Sequence, residues 1–303
     1  MDSCDVQGFR AVRIQRGSTT LVVVPALGAK IASIHAAGRE WLWTSATIPY
    51  RAPIDGASYV ETADSGGFDE CFPTVSPCTL PGGVTLPDHG ELWAVEPEID
   101  ARDSTLSARW TGRRAKYVFE RRIDVDPSGA VTMRYAATNS GNVRMPFSWS
   151  SHPLMPLTND VTLVLPKDAI TRVDAQHDID LGGHGAEHRW PVIAGHDMTR
   201  PAALGRHYAT KLFVALGDVK TVGLAVEGAR LTAELEGIPD FGLWINHRGW
   251  TPFEGGTPYL NFGFEPCIGA PDSLARALEP GWENAHWLAA GETRRWAMRW
   301  TFA

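Results

Sequence analysis

Short runs of alternating apolar and polar residues, separated by turn-forming residues, recur along the chain. The clearest example is segment 116–150, where DPSG (126–129) and NSGN (139–142) divide runs of about strand length. Period-two alternation is typical of a half-buried strand, and short turns rich in Gly and Asn are typical of hairpins. The same pattern recurs over 211–237 and 292–303. It predicts antiparallel strands in all these segments.

Helical patterns are scarce by comparison. Segment 272–281, DSLARALEPG, predicts one short helix that ends at Pro-Gly. The 30 glycines and 21 prolines are spread along the chain, as a fold with many turns requires. No fixed-length repeat and no linker divides the sequence. We therefore predict an all-β fold in which residues 1–303 form a single domain, a large antiparallel β-sandwich with few short helices.

Composition narrows the classes of partner. The chain has 303 residues, of which 44% are hydrophobic, enough for a sizeable core. A formal net charge of -7 argues against nucleic acid or an anionic membrane as the main partner. The first 15 residues lack a basic region followed by an apolar stretch, and the apolar run 21–27 is too short to span a bilayer. We expect a cytoplasmic protein, monomeric or homodimeric.

The cysteines and tryptophans give weaker indications. The four cysteines form no CxxC pair, so free thiols are expected and a metal site is not. The 12 tryptophans are expected mainly in the core. One or two of them could instead line a carbohydrate site, because a flat indole ring covers the apolar face of a sugar.

Three residues are candidates for proton transfer. His89 lies at a turn in PDHGELW, His152 precedes Pro153 in SWSSHPLM, and Glu265 interrupts the apolar stretch NFGFEPCIGA. A hydrogen-bonded structural role is the simpler interpretation for each histidine alone. A carboxylate in an apolar stretch must be ion-paired, hydrogen-bonded or catalytic, and all three roles remain open for Glu265.

Several segments together resemble a known family. In chain order they follow the pattern of the aldose 1-epimerase (mutarotase) family, of the galactose mutarotase-like superfamily. The similar segments are LVVVPALGAKIASIHAAGREWLW (21–43), GGFDECFPTV (66–75), PDHGELW (87–93), SSHP (150–153), NFGFEPCIGAPDSL (261–274) and the tail 278–300. The resemblance rests on the shared order of these segments along the chain.

The resemblance implies a β-supersandwich that interconverts the α and β anomers of an aldose bound as a small-molecule substrate. It implies that Glu265 is the general base on the C1 hydroxyl and His152 the general acid at the ring oxygen. His89 would bind and polarise that same oxygen. Ring opening needs one proton removed and one delivered across the O–C–O unit, so groups with a pKa near neutrality suffice. No cofactor and no metal are implied.

One departure from the family bears on the substrate. Hexose-phosphate mutarotases carry an arginine directly before the paired glycines, whereas this chain has Ser65 there, followed after the glycines by Asp69 and Glu70. The missing guanidinium removes a bidentate partner for phosphate, and two carboxylates would repel it. We therefore predict a neutral aldohexose as substrate, with Asp69 and Glu70 as substrate-binding candidates. A solvated turn is the competing interpretation for both.

The sequence alone leaves several functions open. The family's substrate-binding aspartate could be Asp178, Asp180 or Asp240. The protein could act on a hexose 6-phosphate or another sugar, or bind carbohydrate without catalysis. A glycosidase would need two carboxylates about 5–10 Å apart across the scissile bond, and a cupin-like metal enzyme would need a His-x-His pair that the chain lacks. Fold resemblance alone does not decide between these chemistries.

Overall fold

The computed structural model describes residues 1–303, with 51% of them in strands and 6% in helices. The strands are β1 (Asp2–Val6), β2 (Phe9–Arg16), β3 (Thr19–Val24), β4 (Lys30–Ala36), β5 (Arg39–Glu40), β6 (Phe68–Cys71), β7 (Cys78–Thr79), β8 (Thr85–Leu86), β9 (Glu98–Arg102), β10 (Thr105–Thr111), β11 (Tyr117–Val125), β12 (Val131–Asn139), β13 (Met145–Phe147), β14 (Trp149–Pro156), β15 (Thr162–Val164), β16 (Ile170–His177), β17 (Glu187–Arg189), β18 (Val192–Ile193), β19 (His196–Asp197), β20 (Tyr208–Ala215), β21 (Thr221–Val226), β22 (Ala229–Glu236), β23 (Asp240–His247), β24 (Leu260–Ile268), β25 (His286–Leu288) and β26 (Thr293–Phe302). The two short α-helices are α1 (Tyr59–Thr62) and α2 (Leu274–Ala277), and single 3-10 turns cover Pro25–Leu27, Leu92–Ala94 and Pro201–Leu204.

The strands form two large sheets. The first has 14 strands in the order β1-β2-β3-β4-β6-β14-β24-β23-β20-β16-β17-β18-β19, with β5 beside β4. The second has 8 strands in the order β15-β21-β22-β26-β12-β11-β10-β9. Two small ribbons, β13-β25 and β7-β8, complete the set. Neighbouring strands are antiparallel in both large sheets, as in the β11–β12 and β23–β24 pairs.

The two large sheets pack against each other through aromatic side chains. Phe68 of the first sheet stacks on Trp300 of the second at a centroid distance of 5.6 Å. Trp149 of the first sheet lies 5.1 Å from Trp296 of the second. These contacts belong to a core of 58 buried residues. The all-β antiparallel sandwich predicted from the alternation is confirmed.

The short helix and the buried tryptophans predicted from the sequence are both present. The predicted short helix is α2, where the Ser273 side chain accepts a hydrogen bond from the Arg276 backbone N–H. All four cysteines are free. None of the helices has the length and apolar character needed to cross a bilayer. Seven tryptophans are buried, in line with the expected core role, and they are Trp41, Trp93, Trp110, Trp149, Trp190, Trp296 and Trp300.

Candidate active site

A cavity of about 240 Å³ lies on the face of the first sheet that points away from the core. His89, His152 and Glu265, which are far apart in sequence, all line it. The other polar or aromatic side chains that line it are Asp64, Ser76, Asp88, His177, Lys211, Trp244, Trp250 and Asp272. The structure thus brings the three proton-transfer candidates to one place.

Strand register sets His152 and Glu265 side by side. Strands β14 and β24 are antiparallel neighbours, with Ser150 opposite Cys267 and Leu154 opposite Gly263. These two pairs place His152 opposite Glu265. Directly opposed residues have Cβ atoms about 4.5–5.5 Å apart, so one small molecule can contact both side chains.

Alternation along β24 explains why an apolar stretch carries a carboxylate. Phe262 and Phe264 belong to the core between the sheets. Glu265 is adjacent to Phe264, so its side chain points to the other face. Gly263 shares that face, and a Cβ at that position would overlap Glu265 Oε1. The glycine therefore leaves the space that the carboxylate occupies.

Glu265 is fully buried, and only one of its oxygens is engaged. Oε2 accepts hydrogen bonds from Ser150 Oγ at 3.1 Å and from Lys211 Nζ at 2.5 Å. Oε1 has no hydrogen-bond partner. One oxygen thus anchors the carboxylate while the other remains free for an exchangeable proton.

Lys211 links two carboxylates at the base of the cavity. Its Nζ also lies 3.3 Å from Asp272 Oδ1. Burial acts to lower the pKa of Lys211, but Asp272 and Glu265 together raise it, so the ammonium stays charged. Burial raises the pKa of Asp272 to about 7, against the opposing effect of Lys211.

His89 is held in a strained turn beside its own carboxylate. Its φ is 57°, in the left-handed region that few residues with side chains adopt. Gly90 follows with φ 72°, and a Cβ there would overlap the backbone of Phe72. Nδ1 lies 2.8 Å from Asp88 Oδ1. Burial acts to lower the pKa of His89, but Asp88 raises it above the ordinary value, which shifts the ring toward its charged form.

His152 carries the opposite protonation preference. Its ring centroid lies 4.9 Å from that of His89, with the planes at 88°. Burial, followed by the positive charge of His89, lowers the pKa of His152 well below its usual range. Its Nδ1 is buried without a partner. The two histidines therefore have opposite preferences, His89 for the charged ring and His152 for the neutral one.

The structure does not bring Asp69 to the cavity as a substrate ligand. Asp69 is 2% exposed and forms a buried ion pair with Lys30. It also accepts a hydrogen bond of 2.6 Å from the Tyr59 hydroxyl. The Tyr59 ring in turn stacks on His89 at 4.1 Å. Asp69 thus supports the packing behind His89. Its burial rules out the solvated-turn interpretation and does not support the predicted substrate-binding role.

Glu70 points in the opposite direction, into the core between the sheets. Its Oε1 accepts hydrogen bonds from Arg121 at 3.1 Å and Tyr135 at 3.0 Å, and its Oε2 accepts one from Trp149 at 2.9 Å. Adjacent residues of a strand face opposite sides of the sheet, so Glu70 cannot share the face of Asp69. The burial of Glu70 rules out the solvated-turn interpretation, and its contacts within the core do not support the predicted substrate-binding role.

The three aspartates left open by the sequence also lie elsewhere. Asp178 and Asp180 are exposed, and neither lines the cavity. Asp240 is buried and accepts hydrogen bonds from the Gly269 backbone and the Asn284 side chain. The carboxylates that do line the cavity besides Glu265 are Asp64, Asp88 and Asp272.

Two of the missed residues carried a sequence signal. Lys211 opens the apolar run KLFVAL, just as Glu265 interrupts its own apolar stretch. Asp272 belongs to the Pro-Asp-Ser element that follows Glu265. Asp64 had no local signal, and the expectation that one or two tryptophans line a sugar site did not single out Trp244 and Trp250. No cluster of three or more His, Cys, Asp or Glu residues has an arrangement that would hold a metal ion.

Larger depressions lie on the solvent-facing side of the second sheet. They measure about 590 and 970 Å³ and are lined mainly by charged residues. Those charges pair with one another, as Arg109 does with Glu120 and Arg122 with Asp124. Such exposed pairs contribute little energy and leave few groups free for a ligand. The cavity at Glu265 is the better candidate site.

The sequence profile of the aldose 1-epimerase family matches residues 10–186, more than half of the chain. The chain belongs to the aldose 1-epimerase family. The matched part contains His89 and His152, while Glu265 lies beyond it. The resemblance found in the sequence is confirmed, and family membership supports a mutarotase-like function of the isomerase class.

Solved structures share the fold of this aldose 1-epimerase family member. A galactose mutarotase-like protein from Clostridium acetobutylicum is 11% identical, with 100% of this chain and 98% of that chain covered and a TM-score of 0.71. One from Lactobacillus casei ATCC 334 is 17% identical, with 97% and 100% covered and a TM-score of 0.65. The Slr1438 protein of Synechocystis sp. PCC 6803 is 14% identical, with 100% and 99% covered and a TM-score of 0.70. No curated protein matches the chain.

Proposed function

We propose that this protein is an aldose 1-epimerase that interconverts the α and β anomers of a neutral aldohexose. The observation that carries the proposal is the free Oε1 of Glu265, opposite His152 and in the same cavity as His89. A proton acceptor and a histidine pair thus line the same small cavity. That is the minimum set for opening a cyclic hemiacetal without a cofactor.

The chemistry follows from this arrangement. Glu265 Oε1 removes the proton of the C1 hydroxyl, the C1–O1 bond becomes a carbonyl, and the bond from C1 to the ring oxygen breaks. The ring oxygen takes up a proton from the histidine pair and becomes the C5 hydroxyl. Rotation about C1–C2 presents the other face of the aldehyde, and the same transfers in reverse close the ring. Atoms and charges balance without another reactant.

The opposite directions of the two histidine pKa shifts favour His89 as the proton source. Its imidazolium is stabilised by Asp88 at 2.8 Å, whereas burial and the charge of His89 keep the pKa of His152 low. In this proposal His152 binds the ring oxygen as a neutral ring, and His89 delivers the proton. The order is the reverse of that implied by the family resemblance.

Cavity size and charge support a neutral monosaccharide. A volume of about 240 Å³ is below the range of about 300–1,000 Å³ typical of drug-sized ligands. The one lysine in the cavity, Lys211, is already paired with Glu265 and Asp272. No free cation remains for a phosphate. The half-buried indoles of Trp244 and Trp250 supply flat apolar surface for a pyranose ring.

The test is polarimetry of freshly dissolved α-glucose and α-galactose with wild-type protein and Glu265→Gln. We expect the wild type to accelerate mutarotation and the variant to lose at least about 10²-fold in kcat, the usual contribution of a positioned general base. Glu98→Gln, at an exposed carboxylate on the second sheet, is the matched control. A fully active Glu265→Gln enzyme would remove Glu265 as the base.

Two further outcomes separate this proposal from competing functions. A wild type that binds these sugars calorimetrically but leaves mutarotation at the spontaneous rate would indicate a non-catalytic carbohydrate-binding protein. Faster equilibration of the anomers of glucose 6-phosphate than of glucose or galactose would refute the neutral substrate. Under our proposal the phosphate sugar reacts more slowly, because the cavity offers it carboxylates and an already paired lysine.

A further inference from the structure

Asp64 is a buried carboxyl that the proposed chemistry does not use. It follows helix α1 and is 6% exposed, yet it lines the same cavity as His89 and Glu265. Its Oδ1 has no hydrogen-bond partner. Buried polar atoms nearly always have partners, so an orphaned carboxylate oxygen in a cavity wall calls for a donor from outside the chain.

The nearby cations are already committed to other acceptors. Lys30 donates to Gly66 O and pairs with Asp69. His89 pairs with Asp88. Burial raises the pKa of Asp64 to about 6, while His89 and Lys30 act to lower it. Asp64 is therefore ionised and accepting above that pH, with no cation of the chain assigned to it.

Packing places Asp64 on the His89 side of the cavity. Its backbone N–H donates to Tyr59 O at 3.0 Å, and the Tyr59 ring stacks on His89. The Tyr259 hydroxyl is also buried without a partner, and its pKa is raised by burial first and then by Asp64. Two buried polar groups without hydrogen-bond partners, the Asp64 carboxylate and the Tyr259 hydroxyl, thus lie on the His89 side of the cavity.

We propose that Asp64 is a specificity-determining residue that accepts a hydrogen bond from the C6 hydroxyl of the aldohexose. The inference rests on the proposed function, which places the C1 hydroxyl at Glu265 and the ring oxygen at the histidine pair. In a pyranose the ring oxygen joins C1 to C5, and C5 carries the hydroxymethyl group. A sugar oriented in this way extends C6 past His89 toward Asp64.

This assignment predicts a defined substrate class. The substrate carries a neutral hydroxymethyl group at C5. A 6-deoxy sugar leaves Asp64 without its donor, and a uronic acid sets a second carboxylate against it. Both are therefore poorer substrates than the parent aldohexose.

The experiment compares three substrates with both the wild type and a variant at Asp64. Polarimetry at pH 7.5 measures kcat/KM of the wild type and Asp64→Asn for the parent sugar, its 6-deoxy analogue and its uronic acid. The parent is glucose or galactose, whichever the wild type converts faster. We expect the wild type to lose about 10- to 100-fold on the 6-deoxy sugar, the usual scale for one hydrogen bond to a charged group. The kcat/KM of Asp64→Asn for the parent sugar should fall by a similar factor, and its kcat/KM for the 6-deoxy analogue should be only slightly lower than that. The difference in kcat/KM between the parent sugar and the uronic acid should also become smaller in this variant.

Asp240→Asn is the matched control. Asp240 is 7% exposed, and burial raises its pKa to about 6, as for Asp64, but it does not line the cavity. We expect its ratio between parent and 6-deoxy sugar to equal that of the wild type. Thermal denaturation reports whether each variant is folded, and the wild-type ratios test the proposal without any variant.

The outcomes separate the two levels of inference. Wild type that converts the 6-deoxy sugar and the uronic acid as fast as the parent overturns the role of Asp64 and leaves the epimerase proposal standing. Discrimination that persists unchanged in Asp64→Asn does the same, because another residue must then be responsible. A wild type inactive on every aldose overturns the proposed function, and this inference with it.

Discussion

Replacing Lys211 by methionine tests the charge arrangement beneath the proposed base. Lys211 is almost fully buried between Glu265 and Asp272. Methionine keeps a flexible apolar stem of similar shape and removes only the ammonium. The substitution leaves two buried carboxylates facing each other without a cation.

The magnitude follows from the distances. At an effective dielectric constant of about 20, unit charges separated by the observed 2.5 and 3.3 Å attract by about 5–7 kcal/mol each. Most of this attraction offsets the cost of desolvating the three charges. Removing one partner of a buried pair typically costs about 3–5 kcal/mol. We expect the free energy of unfolding at pH 8 to fall by about that amount, because the charges left behind stay buried.

The pH dependence has a definite sign. Burial already raises the pKa of Asp272 to about 7, and Lys211 opposes that rise. Without Lys211 the pKa rises further. A carboxyl whose pKa is raised on folding favours the protonated protein, so its penalty grows as pH rises and fades as pH falls. The difference between Lys211→Met and wild type should therefore be larger at pH 8 than at pH 5.

Urea denaturation followed by tryptophan fluorescence measures the effect at both pH values. Lys167→Met, at an exposed lysine, is the control and should change stability little. The double variant Lys211→Met/Glu265→Gln should recover part of the loss, because one of the unpaired charges is gone. A loss below about 1 kcal/mol, or an equal loss at pH 5 and pH 8, would refute the buried charge arrangement.

Three more predictions follow from the site. Gly263→Ala should lower kcat of mutarotation by about 10²-fold, because the new Cβ displaces the carboxylate of Glu265. An unchanged rate in a folded variant would show that the position of this carboxylate does not matter. If His89 is the acid, kcat/KM should decline as pH rises through its raised pKa. His89→Gln should then abolish this decline at alkaline pH, whereas His152→Gln should retain it. The reverse result would assign the acid to His152. Glu70→Gln should lower the free energy of unfolding in urea and leave KM unchanged, since Glu70 faces the core. A raised KM with intact stability would indicate that Glu70 binds the substrate.

The strands were predictable because their signal is local. Alternation along 116–150 reports which side of a sheet each residue faces, and the DPSG turn lies between β11 and β12 in the structure. Glu265 stood out for the same reason, since a charge within an apolar stretch contrasts with its immediate neighbours. His89 and His152 needed the family resemblance to be grouped with it.

The roles of Asp69 and Glu70 could not be read from the sequence, because their partners are distant. Lys30, the ion-pair partner of Asp69, is 39 residues away along the chain, and Arg121, the ion-pair partner of Glu70, is 51 residues away. Two acids side by side suggest one shared surface, whereas a strand sends them to opposite faces. Which face holds the cavity depends on the pairing of β6 with β14, and that register is a property of the whole sheet. Asp64 was missed on similar grounds, since nothing in its local sequence indicates that the fold buries it in the cavity wall.

The two glycines next to Glu265 are as important to the site as the polar side chains that surround it. Gly242 lies opposite Glu265 on the neighbouring strand β23. A Cβ there would come within 3.2 Å of Glu265 Oε2 and 3.4 Å of Lys211 Nζ. Gly263 leaves the corresponding space at Oε1. A sheet with ordinary side chains at both positions would push the carboxylate outward into solvent, away from its lysine. Two glycines on adjacent strands instead let the acid lie buried, with Oε2 held by Lys211 and Oε1 free, which is the condition that the proposed proton transfer requires.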